Sequence, residues 1–126
     1  MAPRVDHVTS DEQLPSTTDV VIIGGGIIGV AAALTLAERG QPVVLCEKGQ
    51  IGAEQSSRNW GWCRQQGRDP RELPLIIESL RLWREMHQRI GCDVGFRQCG
   101  ILYLSATAKG IAHREAWLEH GRAHGV

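Results

Sequence analysis

The sequence has no surplus of charge, no long apolar run and no recognisable spacing of cysteines, and each absence removes a class of protein. Lysine plus arginine number 14 and aspartate plus glutamate 14, so the 126-residue chain is formally neutral. That balance leaves no basic excess for nucleic acid or an anionic membrane and no acidic excess for a solvating tail. No apolar run approaches the roughly 20 residues of a transmembrane helix. Residues 1–18 place Asp6, Asp11 and Glu12 where a secretory signal would be apolar, so this stretch reads as a flexible leader. Cys46, Cys63, Cys92 and Cys99 are separated by 17, 29 and 7 residues, which fits neither a zinc ribbon nor a C-x-x-C redox pair. Cys46 falls in an apolar run and is expected to be buried, where a thiol behaves as a small apolar group. A reduced, cytoplasmic compartment is the expected location. His120 and His124 stand one helical turn apart but lack a third ligand, so both are expected to be solvated and no metal is expected. There is no internal repeat and no low-complexity tract.

Glycine, in contrast, is plentiful, with 15 residues, and three are consecutive. The apolar run Val20–Ile23 leads directly into Gly24-Gly25-Gly26-Ile27-Ile28-Gly29, an alanine- and leucine-rich helical stretch follows, and a second apolar run from Pro42 to Cys46 ends on Glu47. Strand, glycine turn, helix, strand and acid in that order are the context that makes G-x-G-x-x-G a dinucleotide-binding motif. Gly24 permits the tight turn. Gly26 leaves room for a pyrophosphate, and Gly29 lets helix and strand lie close. The helix N-terminus presents unpaired N–H groups and about half a positive charge to phosphates. Glu47 lies 18 residues beyond Gly29, where a carboxylate meets ribose hydroxyls. The same carboxylate would repel a 2′-phosphate, an effect that the adjacent Lys48 opposes. NAD and FAD are held by the same device, so the motif alone leaves both open.

Gly49 to Gly67 has no apolar periodicity and is long for a structureless connection, as functional loops often are. Ser56, Ser57, Arg58 and Asn59 cluster there between glycines and Trp60 and Trp62. Arg58 has the planar fork and the serines the hydroxyls to bind phosphate. The alternative is a polar loop pinned by two buried tryptophans. Asp69-Pro70-Arg71-Glu72 reads as a helix start with a capping box. Leu73, Ile76, Ile77, Leu80, Trp83, His87 and Ile90 follow at helical spacing, with Pro74 at a kink or at the start of the main helix and Gly91 as the stop. His87 is expected to be a partly buried member of that stripe, not a catalytic base. Gly95 to Ser105 contains two strand-like runs around Cys99-Gly100, expected to form a short hairpin. Thr107 can cap a last helix that reaches about His124 and stops at Gly125.

The sequence GGGIIG…LCEKG…GAEQSSRNWG resembles the N-terminus of the D-amino-acid oxidase-like flavoenzymes, such as glycine oxidase, the sarcosine oxidases and D-amino-acid dehydrogenases. The resemblance is strong over Asp19–Asn59 and weaker over the helix around Leu75–Met86 and the segment GFRQCGILYLS. It implies FAD as cofactor, with Gly24, Gly26, Ile28, Gly29, Glu47 and Lys48 around its ADP half. The turn Ser56, Ser57, Arg58 and Asn59 would run past the pyrophosphate toward the flavin ring. That turn contains no histidine, so a covalent flavin link through it is not expected. The implied activity is oxidation of the C–N bond of an amino acid or secondary amine. Catalytic residues are not identified within the chain, and Arg64 and Arg68 are not assigned to substrate.

The expected fold is α/β: a Rossmann-like βαβ FAD-binding unit, a helix, the short hairpin and a C-terminal helix. Residues 1–18 are expected to be leader, 19–92 the N-terminal part of an FAD-binding domain, and 93–126 the start of a substrate-binding domain. Two parallel strands do not complete a doubly wound sheet. The chain is therefore expected to be the N-terminal portion of a larger enzyme, with a missing C-terminal half or a companion subunit, and to bind FAD poorly by itself. The rival functions are an NAD-dependent dehydrogenase fragment and a non-catalytic nucleotide-binding subunit.

Overall fold

A computed structural model describes residues 4–126. The chain forms two compact units, one ending at Gly61 and one beginning at Trp62. No helix among the described residues is long and apolar enough to cross a membrane.

In the first unit, residues 4–18 carry no helix or strand, and the expected leader's residues 1–3 lie outside the described ones. Strand β1 (Val20–Ile23), helix α1 (Ile27–Glu38) and strand β2 (Val43–Cys46) form a right-sized βαβ unit. The strands pair in parallel, Val20 with Val43 through Ile23 with Cys46. Helix α1 packs on both strands. It covers the face that carries the half-buried Val20, Ile22, Val43 and Leu45, because side chains alternate across a strand. The opposite face is largely uncovered: Val21 is exposed and Ile23 is 89% exposed, with Val44 half-buried between them and Cys46. Cys46 shares that face and is exposed, against the expectation of burial. A parallel sheet normally has layers on both sides, and among the described residues of this unit α1 supplies one of them. Gly40, with φ +73, ends the helix in the left-handed conformation that suits glycine.

The stretch after β2 is less irregular than expected. It contains a helical turn, α2 (Gln55–Arg58), formed by the Gln-Ser-Ser-Arg sequence itself. Trp60 and Trp62 are exposed and do not pin it to a core.

In the second unit, Asp69 accepts a 2.9 Å bond from Arg71 N and starts a 3-10 turn over Pro70–Glu72, which passes directly into α3 (Leu73–Ile90). The expected reciprocal capping box gives way to side-chain pairing: Asp69 also binds the Arg71 guanidinium at 2.6 Å, and Glu72 lies 3.8 Å from Arg68. Pro74 sits in the first turn of α3, where its missing N–H has no partner to lose, so the helix runs on. Gly91 closes it with φ +73. Leu73 and Leu80 are the buried apolar side chains, while His87 is exposed and not half-buried as its place on the stripe implied.

The hairpin expected over residues 95–105 does not form: no described residue there belongs to a strand. Gly95 and Gly100 have φ of +70 and +75, which breaks the extended run. Alternation survives nonetheless, with Tyr103 and Ser105 half-buried and Leu102 and Leu104 about four-fifths exposed. A strand is defined by hydrogen bonds to a neighbour, and among the described residues the sheet contains β1 and β2 alone. Helix α4 (Ala108–Ala123) begins where Thr107 accepts a 3.1 Å bond from Gly110 N. His120 and His124 at its end are exposed.

Candidate functional site

The glycine turn between β1 and α1 is built from both sides. Gly24 N donates to Cys46 O at 2.8 Å, so the turn begins at the end of the strand ladder. Its φ of +109 is a conformation that side-chain-bearing residues rarely adopt, and the space beside it is open. A Cβ on Gly29 would overlap the carbonyl oxygen of Gly24 and lie 3.3 Å from Ile22 Cγ2, so this glycine is what lets α1 lie against β1. Gly26 is the helix N-cap, and a Cβ there would sit 3.1 Å from Ser56 Oγ. The second glycine of the motif therefore makes room for the serine turn.

The first N–H groups of a helix have no intrahelical acceptor. In α1, Ile27 N donates to Ser56 Oγ at 2.8 Å, a bond across 29 residues. Among the described residues, the N–H groups of Ile28 and Gly29 have no such acceptor, and Ile28 is 84% exposed. Because Ser56 accepts from the helix, its own O–H proton is left to donate elsewhere. The helix end thus offers two backbone donors and one hydroxyl donor on the positive side of its dipole, which is the chemistry of an anion site.

Glu47 stands at the other side of the turn. Its Oε2 accepts from Gly25 N at 2.7 Å and its Oε1 from Gly49 N at 2.9 Å. These bonds, Gly25's first, hold its carboxyl below the usual range, with help from Lys48. A carboxylate has about four lone-pair sites, so two bonds leave capacity for two hydroxyls.

The remaining candidates divide. Ser57 Oγ donates to Gly52 O, and Asn59 Nδ2 donates to Ser56 O at 2.6 Å while its Oδ1 accepts from Gly61 N at 2.6 Å, so both residues shape the serine turn from within. Arg58 is tied to Glu54 at 3.0 Å, with both side chains more than half exposed. The structure therefore brings Gly24, Gly26, Ile28, Gly29, Glu47 and Ser56 together, with Lys48 acting on Glu47 through its backbone N–H and then its charge, and it holds Arg58 in a local ion pair. Sequence reasoning missed Gly25, Gly49 and Gly52. Gly25 N and O bond Glu47 and Gly52 N respectively, and a Cβ at Gly25 would collide with Ile51 and lie 3.1 Å from Glu47 Cβ. Its glycine identity in the middle of the triplet was the available signal.

The chemistry of this donor set fits the ADP half of FAD. Free helix N–H groups and an open cradle at Gly24 suit a diphosphate, and the anchored carboxylate suits a vicinal diol.

Comparison with known proteins identifies the family. The sequence profile of the family described as "FAD dependent oxidoreductase" matches residues 19–126. The chain is 31% identical to glycine oxidase of Geobacillus kaustophilus (strain HTA426), an alignment that covers 83% of this chain and 33% of that protein. It is 30% identical to sarcosine oxidase subunit beta of an Arthrobacter species, over 86% of this chain and 27% of the relative. Among solved structures it matches an L-amino acid deaminase from Proteus myxofaciens at 38% identity and a TM-score of 0.88, over 96% of this chain and 27% of the other. The chain thus spans a third or less of the length of these relatives.

Proposed function

We propose, from the premise that the chain belongs to the family of FAD-dependent oxidoreductases, that it supplies the ADP-binding part of the FAD site in a protein that oxidises the C–N bond of an amino acid or secondary amine. The observation that carries this reading is the open start of α1 facing the anchored Glu47 carboxylate. The N–H groups of Ile28 and Gly29 and the Ser56 hydroxyl would bind the diphosphate. Glu47 would accept the ribose hydroxyls, and its charge would exclude a 2′-phosphate. Ser57 and Asn59 would hold the serine turn in place, while Arg58 and Lys48 would lie at its solvent side. FAD held by these residues would supply the hydride-accepting chemistry, and the share of this chain would be to hold and orient its ADP half.

No residue of this chain is assigned to the bond-breaking step. We place residues 19–92 in the FAD-binding domain and assign 93–126 to the start of the substrate-binding domain. The remaining layers of the sheet would come from further sequence or a companion subunit. The largely uncovered apolar face of β1 and β2 supports that reading, since a two-stranded parallel sheet does not cover itself. We place the protein in the cytoplasm, consistent with its unpaired cysteines among the described residues.

The test is competition. FAD, NAD and NADP are titrated against the protein carrying wild-type Glu47 and Glu47→Ala. Preferential binding of FAD, lost with Glu47→Ala, is expected. Preference for NAD, or indifference of FAD binding to Glu47, would overturn the proposal.

A further inference from the structure

Glu47 is more heavily engaged than a sugar acceptor needs to be. One carboxylate oxygen holds Gly25 N and the other holds Gly49 N. Gly25 O in turn accepts from Gly52 N at 2.8 Å, so both backbone groups of Gly25 are tied to the segment 47–52. Gly25 is also the buried position of the turn, closed in by Ile51 and the Glu47 side chain itself.

We infer that Glu47 is a positioning residue for the phosphate-binding turn: in the ligand-free protein its carboxylate draws the Gly25 and Gly49 N–H groups together and sets the glycine turn in its receiving shape before a dinucleotide arrives. A backbone turn with this many glycines is conformationally permissive, so a strong fixed acceptor narrows what would otherwise be a broad ensemble. Charge-assisted bonds from backbone N–H to carboxylate are the stronger class of hydrogen bond and suit that task. The turn is then pre-organised, which lowers the ordering penalty on binding. The remaining lone pairs stay available for the sugar, so one side chain serves both the scaffold and the ligand. The sugar-binding role rests on the dinucleotide reading above; the turn-setting role does not.

The charged surroundings are simple. Lys48 acts on Glu47 from the next position. Strand β1 carries no charged residue, α1 carries Glu38 at its far end, and Glu54 and Arg58 beside the serine turn pair with each other. Titration of this site therefore reports Glu47 itself.

The experiment uses FAD-free protein and NMR. In the wild type, the Gly25 and Gly49 amide protons are followed with the Glu47 side-chain carboxyl carbon as pH falls. All three are expected to titrate together, with a midpoint below the ordinary glutamate value of 4.5. In Glu47→Gln, Gly25 amide exchange is expected to accelerate about tenfold or more, while the β1–β2 ladder amides keep their protection. Inorganic pyrophosphate, which has no sugar, is expected to bind the variant more weakly than the wild type by a similar factor. Amide shifts at Gly25 and Gly49 that ignore Glu47 ionisation would overturn the inference. So would a variant that binds pyrophosphate as the wild type does and loses affinity only for ADP. If Glu47→Gln does not fold, the wild-type titration decides alone. If the three groups co-titrate and wild-type protein binds neither pyrophosphate nor FAD, the dinucleotide reading fails and the turn-setting role stands.

Discussion

A methyl group at Gly29 would have nowhere to go. Its position overlaps the carbonyl oxygen of Gly24, a backbone atom that no rotamer change can move aside, and Ile22 Cγ2 stands 3.3 Å away on the other side. Gly29 is the third residue of α1, and at an unobstructed helical position glycine to alanine stabilises by about 1 kcal/mol. Here the opposite sign is expected. Forcing a methylene-sized group into a packed contact is destabilising by roughly 1–3 kcal/mol. Because the overlap is with a backbone atom, the cost belongs in the upper part of that range, about 2–3 kcal/mol, and after the helix-propensity gain of about 1 kcal/mol is set against it Gly29→Ala should lose about 1–2 kcal/mol. With a urea m-value of about 1 kcal/mol/M for a small unit, the unfolding midpoint should fall by about 1–2 M. The assay is urea denaturation followed by circular dichroism, with FAD affinity measured on the same samples. The helix start has to move away from β1 to relieve the overlap, so affinity should fall as well. An unchanged or raised midpoint would show that α1 is not pressed against Gly24, and the site geometry would be wrong.

Gly24→Ala should also destabilise, by about 1–3 kcal/mol, because φ of +109 strains any residue with a Cβ even though the space beside it is open; urea denaturation checks this. Ser56→Ala should weaken FAD binding and lower stability by about 0.5–1.5 kcal/mol through loss of the Ile27 N–H acceptor, whereas Arg58→Ala should leave stability within about 0.5 kcal/mol because its ion pair is exposed. Stability should hold above about pH 4.5 and decline as pH falls. Glu47, lowered by Gly25 and Gly49, and Asp69, lowered to about 2 by Arg71, have folded pKa values below their unfolded ones, so their contributions are present above the unfolded values and lost on acidification through the folded ones. Glu47→Gln and Asp69→Asn should each flatten that decline in denaturation midpoints measured from pH 5 to pH 2, and a slope unaffected by both would refute the assignment.

What could be read from the residues was what depends on short stretches of chain. Val20–Ile23, the glycine motif and Val43–Cys46 specify their βαβ unit because strand, turn and helix signals lie within 30 residues of one another. Gly91 and Thr107 end and begin helices through backbone conformations and caps that are local by nature. The hairpin expected over 95–105 failed for the converse reason: alternation marks which residues could face a core, but pairing needs a neighbouring strand that the local sequence does not supply. Burial of Cys46 and His87 was misjudged in the same way, since an apolar setting along the chain does not guarantee a covering layer in space. At the site, the spacing from Gly29 to Glu47 located the carboxylate, while its bonds to Gly25 and Gly49 required coordinates. The Ser56–Ile27 contact was likewise hidden, because nothing in a serine's immediate neighbours indicates which helix end it will cap.

The most direct measurement is a titration of isotopically labelled protein with FAD, with backbone amide shifts followed residue by residue at concentrations high enough to capture weak binding. The expected result is a compact group of perturbed amides at Gly24–Gly29, Glu47–Gly49 and Ser56, largest at Ile28 and Gly29. Perturbations centred elsewhere, or a glycine turn that does not respond to saturating FAD, would contradict the site described here.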